Sequence, residues 1–169
     1  MNLKELYLHG IDYDKYLNSK GVSEKEKSEK IYNDIVLTEE EVKEIEAVKE
    51  KVNILAFAEV WCPDCIVSVP ALKKLNDINS LIEFSVVGRE GNEEYLEEYK
   101  EDNKAKIPTF LIMDEEFKVK GAFIERPKSI KEIEKSGDQV KIIVEKRNYR
   151  AGKYINATIK EILDIIKNS

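Results

Sequence analysis

Short amphipathic stretches open the chain, and unbroken apolar runs come only later. Between Asp12 and Ser19, the residues Tyr13, Tyr16 and Leu17 fall on one side, which predicts a short helix stopped by Gly21. Ser23 and Glu26 have capping-box spacing and predict a second helix running to about Asn33. Thr38 and Glu41 repeat that spacing, and Val42, Ile45, Val48 and Val52 continue an apolar stripe. Residues 1–50 thus read as a helical N-terminal extension. No Gly or Pro linker sets it apart, so it is expected to pack on a domain formed by residues 51–169.

At Val52 the pattern changes. Val52 to Ala58 is apolar except for Asn53, too short for a membrane span and of the length and content of a buried strand. Beyond Cys65, the residues Ile66, Val67, Val69, Leu72, Leu75 and Ile78 are apolar at helical spacing. Leu81 to Val87 is a second β-rich run, expected to lie parallel to the first in a βαβ unit. Gly88 to Gly91 reads as a turn, and Asn92 as the cap of a helix bearing Tyr95, Leu96 and Tyr99. Runs at 109–113 and 118–124 flank a tight acidic turn at Asp114-Glu115-Glu116. A helix at about 129–136, an apolar segment from Val140 to Val144 and a last helix from Asn156 to Lys167 complete the chain.

The only two cysteines, in Trp61-Cys62-Pro63-Asp64-Cys65, sit where the first strand hands over to its helix. A two-residue gap in the first helical turn brings two sulfurs to disulfide range. The first thiol lies beside unpaired backbone N–H groups and the positive end of the helix dipole, which favour its thiolate. Cys62 is therefore the candidate nucleophile and Cys65 the resolving thiol. Pro63 suits the opening turn, where its missing N–H costs nothing. A structural pair or half of a metal site is the competing reading. Zinc takes four ligands, however, and the lone histidine, His9, is far away in sequence, so no metal is expected.

These residues resemble the thioredoxin superfamily, in the variant with a Trp-Cys-Pro-Asp-Cys active site, and the resemblance runs from about Val52 to Ser136. Pro70, five residues past Cys65, matches the proline that kinks the family's active-site helix. Ile107-Pro108-Thr109 resembles the segment carrying the family's cis-proline, which faces the disulfide and shapes a peptide-binding groove. Val119 to Ile124, with Gly121, looks like the final antiparallel strand and its bulge. The resemblance implies an α/β fold with a central mixed sheet flanked by helices. It also implies supporting parts for Trp61 as a lid, and for Pro63, Asp64, Pro108 and Thr109, the backbone of Thr109 holding an extended client chain. One position departs from the family pattern. Six residues before Cys62, where many thioredoxins bury an aspartate that moves protons, stands Ala56; Glu59 is the nearby candidate for proton transfer.

Composition narrows the function further. Over 169 residues the formal net charge is −6, which argues against a nucleic-acid surface. Met1 to Lys15 has no apolar signal core and no run has transmembrane length, so no membrane partner is expected and cytoplasmic residence is the default expectation. In that compartment a cysteine pair is more often catalytic or metal-bound than a structural staple. Arg89 and Arg126 are candidates to flank the groove and attract an anionic group, with surface ion pairs as the alternative. The expected activity is thiol–disulfide exchange on a disulfide-containing client protein or a small thiol. It uses no bound cofactor and needs a separate reductase for turnover. A module of the same fold that binds or senses without turnover is the alternative.

Overall fold

Four strands form the centre of the protein, described over residues 1–168 by a computed structural model. They are β1 (Val52–Phe57), β2 (Ile82–Val87), β3 (Thr109–Met113) and β4 (Val119–Ile124), in the spatial order β2-β1-β3-β4. β2 runs parallel to β1, whereas β3 is antiparallel to both β1 and β4. This is a mixed open sheet. β1 and β3 occupy its middle and are buried along their whole length, which is why both read as continuous apolar runs. Asn53 breaks the run in β1 without breaking the strand, because its side-chain amide donates to the Asp114 carbonyl at 3.0 Å. The β3–β4 register shifts between Ile112 and Met113. Opposite Ile112 lies Gly121, where a Cβ would come 2.8 Å from Ile165.

The helices are α1 (Leu3–His9), α2 (Tyr13–Leu17), α3 (Val22–Asn33), α4 (Glu39–Glu46), α5 (Pro63–Ile78), α6 (Lys128–Lys135), α7 (Gln139–Arg150) and α8 (Ile155–Lys167). α5 lies between the sheet and its surroundings, packing on β2, α3, α4, α7 and α8, while α8 also covers β3 and β4. α1 and α2 pack on β2, and between them Ile11 forms an antiparallel bridge with Val86. Thr38 caps α4 in a complete capping box with Glu41, as its spacing predicts. Ser23 does not cap α3. Gly21 holds the extended N-cap conformation, so the helix starts at Val22 and leaves Ser23 inside its first turn. Asn92 likewise donates its side chain to Gly88 instead of capping, and Glu93–Tyr99 is a 3-10 helix. Among the described residues, no helix is long and apolar enough to cross a membrane.

Candidate functional site

Cys62 is the N-cap of α5, in extended conformation at the point where the chain leaves β1. Its N–H donates to the Glu59 carbonyl at 3.0 Å, and its own carbonyl accepts from Ile66 at 3.0 Å to open the helix. Pro63 takes the first helical position, where no amide donor is needed. One turn of helix then places Cys65 beneath Cys62. Both thiols are free; Cys62 is 6 % exposed and Cys65 is wholly buried.

The two environments separate the thiols chemically. A hydrogen bond from Cys65 is the largest influence on Cys62 and, with backbone N–H groups of the first turn, pulls its thiol down to about 7. Burial and the Asp64 charge oppose that shift without cancelling it. Burial pushes the Cys65 thiol well up, and sharing its proton with Cys62 adds to the effect. Cys62 is thus the more readily ionised of the two thiols near neutral pH, and Cys65 the one that keeps its proton. The Cys62 sulfur also faces the Ile107 carbonyl at 3.7 Å, which brings the Ile107–Pro108 segment over the pair. That peptide bond is cis.

Asp64 does not point into solvent. Its carboxylate accepts from Arg126 in a fork, Nε to Oδ1 at 3.1 Å and Nη2 to Oδ2 at 3.4 Å. The Tyr149 hydroxyl donates to Oδ1 at 3.0 Å, and Arg150 lies 3.9 Å away. Arg126 in turn pairs with Glu125 and Glu134, both at 3.0 Å. Arg126 is thus ion-paired, as one of its two readings expects, but half-buried and taken up by the protein's own carboxylates. Arg89 donates to the Ala105 carbonyl. His9 is exposed and contacts the Glu5 carbonyl within α1.

Trp61 stands beside the pair with about half its surface, 49 %, open to solvent. Thr109 is buried at the start of β3, its register opposite Phe57 on one side and Ile124 on the other. The neighbouring Pro108 carbonyl accepts from Glu125 at 2.7 Å. The backbone carbonyl of Glu59 accepts from Cys62, and its carboxylate lies over Gly88, where a Cβ would come within 2.8 Å of Oε1, and within electrostatic reach of Tyr16. Also beside the dithiol is Tyr16 of α2, nearly fully buried, whose ionisation is opposed first by burial and then by the two cysteines.

Residues 10–141 match the thioredoxin family, and the chain belongs to it. Two solved structures share the fold across nearly the whole length. A Pseudomonas aeruginosa protein of unknown function superposes with a TM-score of 0.87 at 24 % identity, over 99 % of this chain and 98 % of that one. An HIV epitope scaffold gives 0.86 at 21 % identity, over 100 % and 99 %. No match was found among curated proteins.

Proposed function

We propose that the protein is a thiol–disulfide oxidoreductase that reduces disulfides in client proteins through Cys62 and Cys65. The observation that carries this reading is the division between the thiols: one at the rim of a helix N-terminus and lowered to about 7, its neighbour wholly buried and protonated. The Cys62 thiolate attacks one sulfur of the client disulfide, forming a mixed disulfide and releasing the other client sulfur as a thiolate. Cys65 then loses its proton and attacks the Cys62 sulfur. That step frees the second client thiol and leaves a Cys62–Cys65 disulfide carrying the oxidation equivalent. A separate reductase returns two electrons to the pair.

The test is reduction of insulin with a small dithiol as the electron source. Catalytic turnover that disappears in Cys62→Ser supports the reductase, and Cys65→Ser should accumulate the mixed disulfide. A module that binds or senses without turnover is the second reading. It draws on Ala56, a buried β1 residue with no proton-carrying side chain, and on the limited exposure of Cys62. Client binding with no acceleration of insulin reduction would favour it.

A further inference from the structure

A carboxylate placed between two cysteines should work against thiolate chemistry at Cys62. Asp64 is one residue inside the helix that Cys62 caps, and a bare negative charge at that range destabilises a neighbouring thiolate. The structure meets this charge with a built arrangement. Two side chains donate hydrogen bonds to the carboxylate, the Arg126 fork from the junction of β4 and α6 and Tyr149 from the end of α7, and the Arg150 guanidinium adds a positive charge 3.9 Å away. Forked guanidinium–carboxylate pairs fix orientation as well as charge. Tyr149 is fully buried, anchored in a small apolar cluster with Val67 of α5 and Ile130 of α6, so its hydroxyl is a rigid post. Glu125 and Glu134 hold the far side of the guanidinium and complete the set of charges around it. Tyr149 and Arg150 lie outside residues 10–141, beyond the span matched to the family.

We infer that Arg126 and Tyr149 are positioning residues for the dithiol: they pin the Asp64 carboxylate toward α7 and offset part of its charge, so that it bears less on the Cys62 sulfur than a bare carboxylate would. The inference rests on Cys62 being the attacking thiol, and its readout does not depend on any client being reduced. α7 then acts on the cysteine turn as an outside brace, and the reactivity of the pair is set partly through a carboxylate that α7 holds.

The experiment is the pH dependence of iodoacetamide alkylation of Cys62 in the full-length reduced protein. Arg126→Gln should move the midpoint upward and slow alkylation at pH 7 roughly threefold or more, because Asp64 is then uncompensated. Tyr149→Phe, which keeps the packing and removes only the donor, should shift the midpoint the same way by less. The deciding variant is Arg126→Gln with Asp64→Asn: removing the carboxylate should restore the midpoint of Asp64→Asn alone. A shift that persists in this double variant, or no shift in Arg126→Gln, overturns the inference. Should Arg126→Gln fail to fold, Tyr149→Phe decides, and an unmoved midpoint there overturns it. Failure of wild-type protein to reduce insulin, with the alkylation shifts intact, would remove the reductase reading and leave this one standing.

Discussion

Tyr16 places its hydroxyl within electrostatic reach of Cys65, and that hydroxyl has no hydrogen-bond partner among the described residues. The side chain comes from α2, far from the cysteines in sequence, and is 2 % exposed. A polar atom in such a place opposes folding.

Tyr16→Phe should therefore stabilise the protein, by about 1 kcal/mol, since it deletes an unpaired buried hydroxyl and keeps the ring. Burial and the neighbouring thiols hold the phenol well above its ordinary value, so it is neutral throughout the working range and the Cys62 titration should not move. Urea denaturation together with an alkylation profile checks both halves; a loss of stability would show that the hydroxyl has a partner in solution.

The two thiols should also leave a signature in pH. With Cys62 lowered to about 7, alkylation at this residue should rise roughly fivefold from pH 6 to pH 7 and about twofold more at higher pH, with Cys65 unlabelled. In the folded reduced protein Cys62 gives up its proton before the unfolded chain does. Its contribution to stability is accordingly present above about pH 9, shrinks as pH falls toward 7 and is lost below. Cys65, shifted the opposite way, lowers stability once the pH exceeds its unfolded value. The stability gap between wild type and Cys62→Ser should widen from pH 6 to pH 9; a gap that narrows would reverse the assignment.

The reduction potential should be that of a reductant. A nucleophile near 7 is the thioredoxin condition, in contrast to the strongly oxidising members whose thiolate is stabilised to about 3.5. Equilibration in a glutathione buffer should give a potential near roughly −270 mV, and a value above about −200 mV would contradict it.

Thr38→Ala removes the side chain that accepts the Glu41 N–H at 3.1 Å and breaks the capping box of α4. The loss should be about 1 kcal/mol. Glu41 also accepts from Asn156 of α8 at 2.9 Å, so the effect should be felt in the melting of the whole domain, not as local fraying of α4.

Gly10→Ala should be more damaging than its size suggests. A Cβ there would sit 2.0 Å from the Ser85 hydroxyl oxygen and 3.0 Å from the Val86 carbonyl, and the second contact is with backbone. The expected cost is about 1–3 kcal/mol, with faster hydrogen exchange at the Ile11 and Val86 amides, whose mutual bonds are 2.8 and 2.9 Å. Unchanged exchange at both would show that the segment slides aside without strain.

The centre of the fold is legible in the sequence because burial there leaves a continuous apolar signal: β1, β3 and the strand-to-helix handover at Cys62 follow directly from residue order. α7 is not. Its apolar residues Val140, Ile143 and Val144 point outward, while its buried contact is made by Tyr149, so the apolar stripe gives the wrong face. The partners of Asp64 lie 62 and 85 positions away in sequence, and an Arg followed by Pro or a Tyr in a charged helix carries no local mark of that pairing. α1 escapes for a similar reason, since seven residues with a single buried side chain show no periodicity. Ser23 shows the limit of motif spacing: the right residues three apart do not cap when a neighbouring glycine offers an earlier start.

The bridge between Ile11 and Val86 has a consequence for how the protein behaves in a crowded cell. β2 is an outer strand of the sheet, and an outer strand presents unpaired backbone groups that can template the addition of another chain. Val86 has both its amide and its carbonyl engaged by Ile11, with α1 and α2 lying over the same strand. The first dozen residues thus act as a guard against edge-to-edge self-association, and proteolytic trimming of that segment would turn a protected margin of the sheet into a sticky one.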